Sequence, residues 1–204
     1  MKVALLGLVL IGMLLTACSN TPRPSSNVAG SPSPAPTHTV TATPPANAPV
    51  DETAEDVPDF EGTAGNTEKK NPNATGAALL TDVRSARHSS YDRVVFEFEG
   101  SELPNYRLEY IDRPVRSCGS GEVVPFAGDA WLSVRFSGAN AHTDSGEPTI
   151  NDRVRSPNLP IVKDLKLICD FEAEVEWVMG VSSPNKYRVL ELKSPTRLVV
   201  DIRH

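Results

Sequence analysis

The sequence predicts an all-β fold, specifically a β-sandwich of about eight short strands. Three observations support this prediction. Between residues 79 and 204, β-branched, aromatic and charged residues alternate in short runs with a period of two, as in half-buried strands. Turn-forming residues separate these runs, and no window carries the apolar stripe of an amphipathic helix. Strands spaced in this way favour a sandwich or a barrel over an alternating β/α fold.

The predicted strands have one apolar and one polar face. In the second strand, Val94, Phe96 and Phe98 share one face, whereas Glu97 and Glu99 share the other. We expect the first set to face a core and the second set to face solvent. The predicted strands comprise residues 80–84, 93–99, 106–111, 130–136, 165–171, 175–181, 187–192 and 197–202.

The N-terminus has the features of a lipoprotein signal peptide, predicted over residues 1–17. Lys2 supplies a positive charge, and the apolar run that follows is too short to cross a hydrocarbon core of about 30 Å. The sequence LTAC at 15–18 is typical of a lipobox. We therefore expect cleavage before Cys18 and lipidation of that cysteine, which places the protein on the extracytoplasmic face of the bacterial cell membrane. The alternative is an ordinary cleaved signal peptide.

A tether is predicted over residues 18–78, ahead of one folded domain at 79–204. The tether is rich in Pro, Ala, Ser, Thr, Asn and Gly, and Phe60 is its only aromatic residue. Such a composition cannot bury enough apolar surface to offset the conformational entropy of folding. We therefore expect a disordered stalk with polyproline II character. The acidic stretch at 51–56 is interpreted as solvated.

The charge of the chain excludes some classes of partner. The formal net charge is −6, whereas a nucleic-acid partner requires a basic face. Electrostatic attraction to anionic lipid likewise requires clustered Lys and Arg. We therefore expect no nucleic-acid partner, and we expect the membrane contact to come from the lipid anchor alone.

The chain has three cysteines. With Cys18 lipidated, Cys118 and Cys169 remain as an even pair in an oxidising compartment, where a disulfide is the expected state. The alternative is two free, buried thiols. Neither His88 nor His142 has a metal-ligand spacing to these cysteines, so we expect no metal site.

Motifs of catalysis are absent from the sequence, including Gly-x-Ser-x-Gly, the phosphate-binding loop, His-Glu-x-x-His and Cys-x-x-Cys. An acidic run at period two is interpreted as the wetted face of one strand, rather than as glycosidase carboxylates or a Ca²⁺ site. We expect no catalytic residues and no cofactor, so the chain is predicted not to be an enzyme. The acidic run consists of Asp170, Glu172, Glu174 and Glu176.

Tyrosine side chains are two of the three candidate ligand-binding residues. Tyr106 and Tyr110 are in phase with Leu108 on one predicted strand. They either present rings and hydroxyls to a sugar or peptide ligand, or all three side chains face the core. Trp131 and Trp177 are similar in type, but they lie within apolar strands and are predicted to pack in the core.

Residues 137–160 interrupt the strand pattern with several Gly and Pro residues. Long irregular segments in compact domains are often functional. This loop therefore either lines a binding site or serves as a crossover between the two sheets. His142 lies in the loop and is the third candidate ligand-binding residue.

Two segments of the domain resemble each other. Residues 91–98 and 195–202 both place a turn and an Arg before an apolar strand that carries an acidic residue. A sandwich with internal two-fold symmetry would produce such an echo, and so would chance, because strands draw on few residue types.

Four short segments carry a family resemblance. They are YDRVVFEF at 91–98, GDAWL at 128–132, DFE at 170–172 with WV at 177–178, and YRV at 187–189 with RLVVD at 197–201. In this order and spacing they resemble the AMIN-like domain of secreted proteins and lipoproteins of Gram-positive and related bacteria. The resemblance spans nearly all of residues 79–204.

The resemblance implies a sandwich of two small sheets with a targeting or binding role and no catalytic residues. For AMIN domains of cell-wall amidases and secretin partners, peptidoglycan is a proposed ligand. The expected function is therefore that of a membrane-anchored lipoprotein that binds a cell-envelope component, with peptidoglycan as the expected ligand. The alternative is a module that docks an envelope protein. The Cys118/Cys169 pair and the insertion after Phe136 depart from the AMIN pattern.

Overall fold

The computed structural model of the protein describes residues 60–204. Within these residues the regular secondary structure is entirely β-strand, and no helix is present that could span a membrane. Each predicted strand is found at or close to its predicted position, and three further strands are only two or three residues long. The strands are β1 (Thr67–Lys69), β2 (Ala78–Arg87), β3 (Tyr91–Phe98), β4 (Asn105–Ile111), β5 (Ala130–Ser137), β6 (Ala139–Asn140), β7 (Val154–Arg155), β8 (Val162–Phe171), β9 (Glu174–Val181), β10 (Tyr187–Leu192) and β11 (Thr196–Arg203).

The strands form two sheets. The six-stranded sheet has the order β1-β4-β5-β9-β8-β7, and the five-stranded sheet has the order β10-β11-β3-β2-β6. Neighbouring strands are antiparallel, except that β2 and β6 are parallel. The predicted all-β sandwich is confirmed.

The main core lies between the inner faces of the two sheets. Phe96 and Phe98 of β3 meet Phe136 of β5 with ring centroids 5.2 and 5.0 Å apart, in the edge-to-face geometry that aromatic rings prefer. Trp177 of β9 and Tyr187 of β10 are fully buried in the same cluster. Because both sheets contribute side chains, burial of this layer holds the sandwich together.

A smaller apolar cluster covers the outer face of the six-stranded sheet. Its buried members are Val115, Ile168 and Val178, and Trp131 packs against them. Trp131 belongs to this cluster rather than to the main core because side chains alternate along β5. Leu132 points inward, so its neighbour points outward.

Residues 112–129, which join β4 to β5, cover this outer cluster. The disulfide between Cys118 and Cys169 attaches the segment to β8, so the structure contains the cysteine pairing that the sequence predicts. The Asp164 carboxylate of β8 also accepts a hydrogen bond from the Ala127 amide at 2.8 Å. The segment is therefore fixed to the sheet at two separate points.

The two segments that resemble each other are adjacent in space. They form β3 and β11, which pair antiparallel in the middle of the five-stranded sheet and place Arg93 opposite Asp201. Arg93 Nε and Nη2 donate to the Asp201 carboxylate at 2.7 and 3.1 Å, and Arg188 Nε of β10 donates at 2.8 Å. The two similar segments are therefore neighbouring strands, and a buried ion-pair cluster connects them.

The sandwich begins earlier than the sequence predicts. Residues 60–77, predicted as tether, contact both sheets. β1 pairs with β4, and Thr63 exchanges main-chain hydrogen bonds of 2.9 and 2.8 Å with Tyr187 of β10. The segment has no strand-like alternation, and it needs none, because main-chain pairing to existing strands holds it in place. An apolar face of its own is not required. The remainder of the predicted tether, the signal peptide and Cys18 lie outside the described residues.

Residues 137–160 cross between the sheets. The segment contains β6, which pairs with β2 of the five-stranded sheet, and β7, which pairs with β8 of the six-stranded sheet. The rest of it is irregular, as predicted. The crossover interpretation is therefore correct for the path of the chain.

Candidate functional site

A groove crosses one end of the sandwich, where three chain segments meet. These segments are residues 70–77 after β1, residues 99–104 between β3 and β4, and residues 193–195 between β10 and β11. Two cavities of about 300 and 260 Å³ lie here. They share Asn73 and residues 101–104 as lining, so they adjoin each other. We name this feature the end groove.

Asn71 holds one wall of the end groove. Its main-chain N–H donates to Asn105 Oδ1 at 2.8 Å, and its Nδ2 donates to the Leu103 carbonyl at 2.8 Å and to Glu102 Oε2 at 3.2 Å. Its Oδ1 accepts from the Asn73 amide at 3.0 Å. Since every polar group of this side chain is used, the wall is formed before any ligand arrives.

A hydrogen-bond chain lies at the base of the end groove. The buried Tyr106 donates its hydroxyl to Glu191 Oε1 at 2.7 Å, and Lys69 Nζ donates to Glu191 Oε2 at 2.6 Å. Burial, together with the hydrogen bond to Glu191, raises the pKa of the Tyr106 phenol. Burial alone would raise the pKa of Glu191, but the hydrogen bonds from Lys69 and Tyr106 outweigh it and lower that pKa. At neutral pH the phenol is therefore neutral and the carboxylate ionised.

Three other charged side chains line the end groove: Glu99, Glu102 and Lys193. Glu102 accepts a hydrogen bond from Asn71, and none of the three forms an ion pair with any residue in 60–204. By contrast, Lys69 and Glu191 form an ion pair, and the charge of Lys193 also acts on Glu191. The groove therefore offers a ligand one ammonium group and two carboxylates that have no ion-pair partner.

Tyr110, the second sequence-predicted candidate, lies away from the end groove. Its ring packs edge-to-face on Tyr187 with centroids 6.1 Å apart, and its hydroxyl donates to the Asn185 carbonyl at 2.7 Å. Burial raises the pKa of this phenol. The structure therefore agrees with the alternative in which Tyr106, Leu108 and Tyr110 all face the core. Of the two tyrosines, only Tyr106 reaches the end groove, through its hydroxyl.

His142, the third candidate, lies near the opposite edge of the six-stranded sheet, beside β8. Its Nδ1 is 2.8 Å from Asp170 Oδ1, and Arg153 Nη2 donates to Asp170 Oδ2 at 3.0 Å. The Ala141 amide also donates to Asp170, at 2.9 Å. An open cavity of about 490 Å³ adjoins these residues. Asp170 thus fastens the crossover to β8, and His142 is one of the groups that it holds.

The acidic run is not one face of one strand. Asp170 lies near the end of β8, and Glu174 is the first residue of β9. Glu172 lies in the turn between the two strands, at a positive φ of 50°. Glu176 is buried and accepts hydrogen bonds from Ser133 and Arg135. The interpretation as a wetted strand face is therefore wrong, because a hairpin turn divides the run.

The structure does not bring the three candidates together. Two strands, β5 and β9, separate β4, which carries Tyr106, from β8, which holds His142 through Asp170. Three strand spacings correspond to about 14 Å. The residues that share a site with Tyr106 are instead Lys69, Glu191 and their neighbours. Sequence patterns missed them because Glu191 lies 122 residues from Lys69.

A second, apolar cavity of about 240 Å³ lies on the outer cluster. The Arg113 guanidinium sits 4.0 Å above the Trp131 ring, and Lys166 Nζ is 4.8 Å from the Phe126 ring centroid. The aromatic faces here are thus already covered in part by cations of the same chain. For this reason we consider the end groove the better candidate site.

The fold and the groove together define a compact β-sandwich module that can hold a ligand by hydrogen bonds and charge. The family model of the AMIN-like domain matches residues 78–204, and the chain belongs to this family. AMIN-like domains are generally non-catalytic binding domains of extracytoplasmic envelope proteins. Comparison with curated proteins and with solved structures gave no match.

Proposed function

We propose that the protein is a membrane-anchored lipoprotein whose AMIN-like domain binds peptidoglycan without catalysing a reaction. The family match over residues 78–204 is the observation that carries this proposal. The polar end groove supports it, because peptidoglycan is rich in hydrogen-bonding and charged groups. We propose Cys18 as the anchor, since two or more acyl chains give durable membrane attachment.

The proposal is tested by co-sedimentation with isolated bacterial sacculi. The purified full chain, held in mild detergent, is mixed with sacculi and centrifuged at salt concentrations up to about 0.15 M, where the Debye length is about 8 Å. We expect the chain in the pellet only when sacculi are present. Digesting the sacculi with lysozyme beforehand should return the chain to the supernatant. A chain that stays in the supernatant throughout contradicts peptidoglycan binding.

One observation favours docking of an envelope protein as the second candidate function. β10 is the outermost strand of the five-stranded sheet, and Thr63 pairs with it only at Tyr187. By the alternation of main-chain groups, the N–H of Val189 also points away from β11. An extended segment of a partner could add there as a further strand.

Strand addition is tested with Val189→Pro. This substitution removes an outward N–H without removing a hydrogen bond within the sheet. We expect it to abolish crosslinking of the chain to one defined envelope protein while leaving the melting temperature nearly unchanged. Crosslinking that persists at the wild-type level contradicts docking at β10.

A further inference from the structure

We infer that the end groove binds the peptide part of peptidoglycan, not its glycan strand. The chemical class is a short extended peptide that carries both a free carboxylate and a free amine. This inference rests on the proposed function, since it names the part of the wall polymer that the groove recognises.

The charge of the groove favours a peptide over a glycan. Glu102 comes from the connection between β3 and β4, whereas Lys193 comes from the turn between β10 and β11. Neither has an ion-pair partner in the part of the chain that the structure describes, and neither has Glu99, the other carboxylate of the groove. A ligand with one ammonium and one carboxylate can compensate the charges of Glu102 and Lys193, and charge-assisted hydrogen bonds are about twice as strong as neutral ones. An uncharged stretch of glycan can compensate neither.

The described part of the chain offers no stacking surface for sugar rings in the groove. Sugar rings bind well to flat, exposed aromatic faces, against which their C–H groups pack. Tyr106 is the only aromatic residue that lines the end groove among residues 60–204. Its side chain is buried, with 7% of the residue exposed, and only its hydroxyl is directed to Glu191 at the groove. The groove therefore lacks the feature that a glycan strand would use.

The shape of the groove also suits an extended peptide. Its two adjoining cavities extend from Lys193 at one end of the groove to Gly138 at the other. Gly76 and Gly100 line it with positive φ values of 77° and 90°. Glycine adopts such conformations without strain, and neither position has a side chain that would block the groove. An extended peptide, which is long and narrow, can lie along such a groove.

The probe is the synthetic peptide L-alanyl-γ-D-glutamyl-L-lysyl-D-alanine, which carries free amines and carboxylates. Its binding to the full chain in detergent is measured by isothermal titration calorimetry, alongside peptide-free glycan strands. We expect the peptide to bind and the glycan strands not to bind. Glu102→Gln and Lys193→Met should each weaken peptide binding by about tenfold, the effect of losing one charge-assisted hydrogen bond.

Matched variants control for general effects of charge. Glu147→Gln and Lys186→Met make the same chemical changes at exposed positions outside the groove, and they should leave the affinity unchanged. The peptide with both of its amines acetylated should bind more weakly. For this peptide, Glu102→Gln should have little further effect, because the two changes remove the same contact. Equal weakening by groove and control variants overturns the inference.

The outcomes separate this inference from the proposed function. Binding to sacculi and to glycan strands, without binding to the peptide, overturns the inference and leaves peptidoglycan binding intact. Binding to the peptide without binding to sacculi supports the ligand class of the groove and contradicts wall binding. Failure with all three ligands overturns both proposals.

Discussion

Replacing Asp201 with asparagine should destabilise the domain much more than the loss of a surface ion pair. The Asp201 side chain is fully buried and accepts three hydrogen bonds of 2.7–3.1 Å from Arg93 and Arg188. The arginine side chains are themselves only 12% and 16% exposed. Asparagine keeps the shape but removes the charge, which leaves two cations together with little solvent around them.

Breaking a buried pair of this kind costs about 3–5 kcal/mol. We expect about 3 kcal/mol for Asp201→Asn, at the low end of that range, because the amide oxygen still accepts a hydrogen bond. The free energy of unfolding is measured by urea denaturation. With a slope of about 2 kcal/mol per molar urea, the midpoint should fall by about 1.5 M.

Glu97→Gln is the matched control. Glu97 pairs with Arg84 at 2.9 Å on the same outer face of the five-stranded sheet, but their side chains are 26% and 41% exposed. We expect this variant to cost less than about 1 kcal/mol, as is usual for exposed pairs. If the two variants cost the same, burial does not determine the strength of the Asp201 cluster and the reasoning is wrong.

Three further predictions concern other parts of the chain. Reducing the Cys118–Cys169 bond should lower the free energy of unfolding by about 4 kcal/mol, because the bond joins positions 51 residues apart. Urea unfolding with and without reductant measures this, and an unchanged midpoint would contradict it. Asp164→Asn should cost stability at neutral pH and progressively less in acid. Burial alone would raise the pKa of Asp164, but hydrogen bonds from the Ala127 amide and two side chains lower it. Its contribution is therefore present above the unfolded-state pKa of about 3.9 and is lost as the pH falls. Urea unfolding of both proteins at neutral and acid pH tests this, and a difference that does not narrow at acid pH refutes it. Cys18→Ala should move the chain from the membrane fraction to the soluble fraction of fractionated cells, and a chain that remains with the membranes would disprove lipidation.

The long strands could be predicted because each has its own alternating pattern in the sequence. β3 and β5 alternate apolar and polar residues over most of their length, and one buried face is enough to specify such a strand. The three short strands could not be predicted, since two or three residues contain no period. The phase of β5 already placed Trp131 opposite to Leu132, so its position on the outer face was available from the sequence.

The site was less accessible to prediction than the fold. Tyr106 could be selected as an aromatic residue on a strand, but its ring turned out to be buried while its hydroxyl reached Glu191. Lys69 and Asn71 lie in a polar segment with no strand pattern, and they become groove residues only because β1 pairs with β4. Contacts of this kind depend on tertiary pairing, which a single sequence does not reveal.

The family match begins at residue 78, yet Lys69 at the base of the end groove and Asn71 in its wall lie upstream of that boundary. The residues proposed to contact the ligand, Glu102 and Lys193, lie within the matched domain. A fragment cut at the family boundary therefore keeps these two charges but loses part of the groove around them. Any shortened form of the chain made for binding studies should accordingly begin no later than residue 60.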